Sequence, residues 1–209
     1  MNHNALTIST ALVLLLTGAV GAAEASSQHL HCKGAETFTD GVETHIDTNG
    51  DGQSATLAQG LENCRSDGGV PFTNTRFFFQ EEVEWIPRPV TSACPAGTTE
   101  ELYIDPTHGQ HRGIATDEKT GDQLFGQVTA GTLCINTSAF PFPFTISVQT
   151  ATIGGTGKYT GATGTGTATA AGSYLMFGIK DNVFGGFGHV NFTSDGTLTL
   201  PNDHSDHQE

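Results

Sequence analysis

One acidic side chain interrupts an otherwise apolar strand face near the middle of the sequence. The alternation over residues 76–85 places on one side Phe77, Phe79, Glu81, Val83 and Trp85. Successive side chains of a strand point to opposite faces, so Glu81 is expected among aromatic rings. Burial there would raise its pKa and favour the neutral acid, which can protonate or polarise a ligand oxygen. We predict Glu81 as a catalytic acid and Phe77 and Phe79 as ligand-binding residues.

Other side chains could complete or replace this site. Tyr103 and His189 are predicted as polar ligand contacts, His189 because it shares a strand face with Phe187, Asn191 and Thr193. Two alternatives stay open for Glu81: its face is the outside of the sheet, or it forms a salt bridge at a rim. The sequence also has closely spaced histidines, namely His29 and His31, and His108 and His111. Their spacing could allow them to bind a metal ion, but we interpret these side chains as solvated.

Residues 47–53 read Asp-Thr-Asn-Gly-Asp-Gly-Gln, the opening pattern of a calcium loop, in which Gly52 allows a sharp turn. An EF-hand would need an acid where Ala58 stands, so we predict a non-helical calcium turn. Its predicted ligands are the oxygen-bearing side chains of Asp47, Asn49, Asp51 and Gln53, with Glu62 or Asp67 as more distant candidates. The alternative is a solvated turn without metal, since these residue types form such turns unaided. No organic cofactor is expected.

The beginning of the chain indicates its compartment. Residues 5–20 are uncharged and apolar, and small residues follow them, which is typical of a secretory signal peptide spanning residues 1–25. A membrane anchor is the alternative, but a span needs roughly 20 apolar residues. The 8 basic and 22 acidic residues give a net charge of −14, which disfavours binding to nucleic acid or to anionic lipid. We expect a secreted or periplasmic protein with no membrane partner after cleavage.

All four cysteines follow the predicted cleavage site: Cys32, Cys64, Cys94 and Cys134. An even number in a secreted chain predicts two disulfides. Three connectivities are open, and moderate loop lengths favour Cys32–Cys64 with Cys94–Cys134. A zinc site is disfavoured because no pair has the close C-x-x-C spacing.

Period-two alternation recurs along the chain, and no segment after residue 26 keeps a helical period for three turns. The predicted strands cover residues 29–39, 42–47, 73–86, 100–104, 111–117, 123–135, 142–152, 164–178 and 186–200. Residues 47–72 and 86–99 are predicted to be irregular insertions. The pattern indicates one all-β domain over residues 26–201, a sandwich or closed barrel, followed by a disordered tail at 202–209.

Residues 152–169 read TIGGTGKYTGATGTGTAT, which predicts a strand, a turn and a second strand. The run resembles the G-G-T-G-x-[FY]-x-G-A-x-G signature of the allene oxide cyclase and dirigent-like β-barrel superfamily. The matching residues are Gly154, Gly155, Thr156, Gly157, Lys158, Tyr159, Gly161, Ala162 and Gly164. In this interpretation glycines allow positive φ in the turn and close strand contact, and Tyr159 plugs the barrel end.

The resemblance implies an eight-stranded antiparallel barrel, often oligomeric, with an apolar pocket inside. It also implies that an enzyme of this type would be an isomerase or cyclase that works by shaping its substrate without an organic cofactor. No catalytic residue of the family can be carried over to this chain. We therefore predict a secreted, disulfide-stabilised barrel that binds a small apolar or aromatic molecule. The alternative is a non-catalytic secreted structural or binding protein stabilised by calcium.

Overall fold

The computed structural model describes residues 26–40, 55–67, 72–107, 111–180 and 183–201. Ten strands follow one another within these described residues: β1 (Ser26–Asp40), β2 (Ala55–Ser66), β3 (Thr75–Glu84), β4 (Ile86–Arg88), β5 (Glu100–Ile104), β6 (Arg112–Asp117), β7 (Gln123–Ile135), β8 (Phe142–Gly155), β9 (Thr163–Lys180) and β10 (Val183–Leu200). The 3-10 turn Gly157–Tyr159 joins β8 to β9. Within these residues, no helix has both the length and the apolar character that a membrane crossing requires.

Eight of the strands close into an antiparallel barrel. They pair in the order β7-β6-β3-β2-β1-β10-β9-β8, and β8 returns to β7 to complete the ring. One part of β7 pairs with β6, whereas residues 131–135 pair with β5, so that β5 and β4 extend the sheet outside the barrel. The predicted eight-stranded antiparallel barrel is confirmed.

Two segments differ from the sequence expectation. Residues 47–72 were expected to be irregular, but β2 occupies Ala55–Ser66 and is an integral barrel strand. Within residues 86–99, the short β4 forms before the irregular part. The strand expected at 42–47, the signal segment 1–25 and the tail 202–209 lie outside the described residues.

The residues on the inward side of β2 explain why this strand was not predicted from the sequence. Its inward positions carry small or polar residues, whereas Leu57 and Leu61 point outward and are 41% and 36% exposed. At Gly60 the backbone of the neighbouring strand β1 leaves no room for a side chain. A Cβ at Gly60 would collide with β1 at Glu36, and one at Gly34 of β1 would collide with the Phe192 ring. The apolar alternation of an ordinary half-buried strand is therefore absent.

Both disulfides join neighbouring structural elements. Cys32–Cys64 links directly paired residues of β1 and β2. Cys94–Cys134 ties the segment after β4 to β7. These are the two pairings that loop length favoured.

The glycine-rich motif closes one end of the barrel. Tyr159 is fully buried, and its ring stacks on Phe72 and contacts Phe77. Its hydroxyl donates to Asp117 Oδ2 at 3.1 Å, and Lys158 Nζ donates to the same oxygen at 2.6 Å. Gly161 has φ +73°, which favours glycine in the turn. Tyr159 therefore plugs the barrel end, as predicted.

Outside the barrel, a buried ion pair fixes the β4–β5 hairpin. Glu101 is 1% exposed, accepts a hydrogen bond from Arg88 Nε at 2.7 Å and accepts two more from Thr91. Burial alone would raise the pKa of Glu101, but the bonds from Thr91 and Arg88 outweigh it and hold that pKa below its ordinary value. The charged form is thus the native one.

The Glu101→Gln variant is expected to lower the free energy of unfolding at pH 7 by about 2 kcal/mol, because it weakens charge-assisted hydrogen bonds to a buried group. Urea unfolding of E101Q and wild type measures this. Glu100→Gln is the matched control and should change stability by less than about 0.5 kcal/mol. Equal losses in the two variants would contradict the assigned role of the Glu101 network.

Candidate functional site

The barrel encloses a cavity of about 270 Å³. Aromatic and aliphatic side chains supply most of its wall; those used below are Phe77, Phe79, Trp85, Val148, Ala168 and Phe192. Phe79 and Phe192 meet edge to face with ring centroids 5.2 Å apart. The volume lies close to the lower end of the range of about 300–1,000 Å³ typical of small-molecule sites. The interior therefore has room for a small ligand beside its packed side chains.

Carboxylates from three neighbouring strands line this cavity. In β3 the odd-numbered residues point inward, so Glu81 joins Phe77 and Phe79 on the lumen face, as predicted. In β2 and β1 the even-numbered residues point inward, which brings Glu62 and Glu36 to the same lumen. The alternative position of Glu81 on the outer face is excluded by this geometry.

Both Glu62 and Glu81 favour the neutral form. Burial raises the pKa of Glu81 to about 7. Burial also raises the pKa of Glu62 to about 7, and the negative charge of Glu81 adds to the rise. Two carboxyl groups with these values hold at least part of their protons at neutral pH. The lumen therefore contains acids that can donate a proton or a hydrogen bond near pH 7.

One buried hydroxyl group in the cavity wall lacks a hydrogen-bond partner among the described residues. Thr56 Oγ1, on β2, is buried and has no hydrogen-bond partner among the described residues. Buried polar groups are nearly always paired, because an unpaired one costs about 1–3 kcal/mol. A ligand oxygen or nitrogen in the cavity would satisfy it.

Two predicted ligand contacts lie elsewhere. Tyr103 is on β5, outside the barrel, where the Arg88 guanidinium lies 4.9 Å from its ring centroid. His189 is exposed on the outer face of β10, while Val190 and Phe192 point inward. The predicted alternation of faces along β10 is correct. The inner face is the one that carries Gly188, because the Phe38 ring occupies the space where a side chain at position 188 would lie.

The remaining sequence candidates are placed as follows. His111 is buried rather than solvated: its Nδ1 accepts a bond from Glu84 N at 3.3 Å, and its Nε2 lies 3.2 Å from the Asp105 carbonyl oxygen. His108 and the predicted calcium ligands Asp47, Asn49, Asp51 and Gln53 lie outside the described residues. The calcium turn stays a prediction, and of its distant candidates Glu62 faces the lumen whereas Asp67 lies on the outer surface.

Glu62, like Glu36, is a lumen carboxyl that sequence reasoning did not assign to the ligand site. It lies in the segment expected to be irregular, so no strand face was available on which to place it. The signal available in the sequence was the position of Glu62 two residues before Cys64. A cysteine in a disulfide is normally buried, and residues two apart on a strand point to the same face.

Comparisons with known proteins give one structural match. No protein-family model matches the sequence, and no curated protein matches it. Among solved structures, the chain is similar to a pterocarpan synthase dirigent protein, with 15% identity and a TM-score of 0.32; the match covers 85% of this chain and 86% of that one.

The fold itself agrees with the expectation drawn from the glycine-rich motif. The ring contains eight antiparallel strands, and the motif lies in the turn between β8 and β9, with two long strands after it. The residues matching the signature include the buried plug, Tyr159, and the turn glycine, Gly161. In architecture the chain is similar to the allene oxide cyclase and dirigent-like β-barrels.

Proposed function

We propose that the barrel lumen binds a small apolar or aromatic molecule and that Glu81, assisted by Glu62, acts on it as an acid. The observation that carries the proposal is a cavity lined mainly by aromatic and aliphatic groups, into which two carboxyls with pKa values of about 7 project. Apolar walls with a few placed polar groups are the usual composition of small-molecule sites.

The proposed chemistry requires no group beyond the chain itself. The walls, including Phe79 and Phe192, would hold the ligand in one folded shape, and positioning of this kind can supply much of a barrier reduction. Protonated Glu81 would give its proton or a hydrogen bond to a ligand oxygen, and the same carboxylate would recover the proton from the product. The reaction class is a cofactor-free isomerisation or cyclisation.

The setting of this function is proposed on separate grounds. Two disulfides fit an oxidising compartment, so we place the protein outside the cytoplasm as a secreted or periplasmic protein. Homo-oligomer formation and calcium binding stay expectations. The rival function is binding without turnover, in which a ligand incubated with the protein would be recovered unchanged.

Filling the lumen should abolish binding. Ala168 on β9 faces the cavity, and its strand partners Val148 and Ser194 also line it. The Ala168→Phe variant is expected to weaken binding of the neutral aromatic probe N-phenyl-1-naphthylamine at least tenfold, because the new ring occupies the space that the probe needs. Probe fluorescence titration measures the change.

Ala171→Phe provides the matched control, because Ala171 is an exposed residue on the opposite face of the same strand. It should bind the probe within twofold of wild type, and near-UV circular dichroism shows whether both variants keep their tertiary packing. Equal probe affinity in wild type and A168F would overturn the lumen as the binding site.

A further inference from the structure

A second group of side chains with ligating chemistry lies on the outside of the barrel, away from the lumen. His29 and His31 are two residues apart on β1, so both project from the same outer face. Asp195 of β10 is directly paired with His31, and Asp67 follows the end of β2. Three adjacent strands thus bring two imidazoles and two carboxylates together.

The backbone around this group is held in place. The Asp67 amide donates to the His29 carbonyl oxygen at 3.2 Å, which ties the end of β2 to β1. The Cys32–Cys64 disulfide crosslinks the same two strands next to His31. The group is therefore built on paired strands and a crosslink.

Potential ligand atoms of three side chains lie close together. His29 Nδ1 lies 3.2 Å from His31 Nε2, which lies 3.1 Å from Asp67 Oδ1; His29 Nδ1 is 4.0 Å from Asp67 Oδ2. Nitrogen and oxygen ligands about 2.0–2.1 Å from a tetrahedral zinc ion are separated by roughly 3.3 Å. The two shorter separations are close to that value, and the separation between His29 Nδ1 and Asp67 Oδ2 is longer, at 4.0 Å.

The second nitrogen of His31 is already engaged. His31 Nδ1 contacts Asp195 Oδ1. If Nδ1–H donates to this carboxylate, Nε2 of the neutral ring carries a lone pair that faces Asp67 and His29. Acceptor atoms facing each other repel unless a proton or a metal cation lies between them. A carboxylate bound to the remote nitrogen is also the usual support of a metal-ligating histidine.

We propose that His29 Nδ1, His31 Nε2 and the Asp67 carboxylate bind a divalent first-row transition ion of the zinc or copper class, with Asp195 as a positioning residue for His31. Imidazole and carboxylate ligands suit these ions. The site is open to solvent, with Asp67 69% exposed, so water completes the coordination. Its two imidazole nitrogens distinguish it from the predicted calcium turn, whose predicted ligands are all oxygens.

Cobalt(II) titration of the full chain tests the proposal, because tetrahedral Co²⁺ absorbs visible light far more strongly than the solvated octahedral ion. We expect one equivalent to give an intense band, and Zn²⁺ to displace it. His29→Ala and His31→Ala should each weaken Co²⁺ binding at least 30-fold. Asp195→Asn should weaken it about tenfold while leaving the band, since mutations of such supporting groups typically cost 10–100-fold in affinity.

Controls separate this site from other histidines and from loss of fold. His189→Ala removes an exposed histidine of β10 outside the group and should leave the band and the affinity unchanged. Thermal melts without metal should show that His29→Ala and His31→Ala remain folded. Absence of an intense band in wild type, or an unchanged band in both histidine variants, would overturn the proposal and would assign the contacts to hydrogen bonding of a protonated His31.

Discussion

Raising the pH from 5 to 8 is expected to lower the free energy of unfolding by about 5 kcal/mol, roughly 2.5 kcal/mol for each of the two lumen carboxyls. The folded-state pKa values of Glu62 and Glu81 are raised from 4.5 to about 7 by burial. In the unfolded chain these groups lose their protons near pH 4.5, so the folded state holds more protons between pH 4.5 and 7. Stability is therefore greatest below pH 4.5 as far as these groups contribute, and it falls as the pH rises through 7.

Urea unfolding of wild type and of the E62Q/E81Q variant at both pH values isolates this effect from other titrating groups. The double variant should lose most of this pH dependence, so that its stability relative to wild type rises by about 5 kcal/mol between pH 5 and pH 8. Glu82→Gln is the matched control, because Glu82 lies on the opposite face of β3. An unchanged pH dependence in E62Q/E81Q would mean that these carboxyls are ionised in the folded barrel.

The Tyr159→Ala variant should lower the free energy of unfolding by about 4 kcal/mol. Tyr159 is fully buried against Phe72 and Phe77, so its removal leaves a cavity where the motif closes the barrel. The Tyr159→Phe variant keeps the ring and loses only the bond to Asp117, and it should cost about 1 kcal/mol. Denaturant unfolding of the two variants separates the contributions of ring and hydroxyl.

The control for this comparison is Phe140→Ala, since Phe140 is 75% exposed. It should change stability by no more than about 0.5 kcal/mol. If Tyr159→Ala cost less than about 1 kcal/mol, Tyr159 would not be the plug of the barrel end, and the structural meaning of the glycine-rich motif would have to be reassigned.

Much of the barrel could be predicted from sequence because most of its strands alternate clearly. The bounds of β5 and β7 are the predicted ones, and the inward face of β3 carries the predicted aromatic residues around Glu81. Lumen-facing Phe77 and Phe79 were identified by the same alternation. Local pattern is sufficient wherever one face of a strand is large and apolar.

The other parts of the fold and of the site could be predicted only with knowledge of which strands are neighbours in the barrel. β2 presents small and polar residues inward, and at Gly60 the β1 backbone at Ala35 and Glu36 lies where a side chain would be, which no local pattern shows. The orientation of β10 was ambiguous for the same reason, which is why His189 was placed on the wrong face. The histidine–aspartate group on the outer face likewise depends on strand order, since Asp67 and Asp195 are far from His31 in sequence.

A carbon-13 NMR titration of the Glu62 and Glu81 carboxyl groups, with and without bound N-phenyl-1-naphthylamine, tests the ligand-binding lumen most directly. We predict midpoints near pH 7 in the free protein. Bound probe should move both midpoints upward, because it replaces water around the carboxyls and further disfavours the charged form. Midpoints near 4.5 that do not respond to the probe would contradict the account.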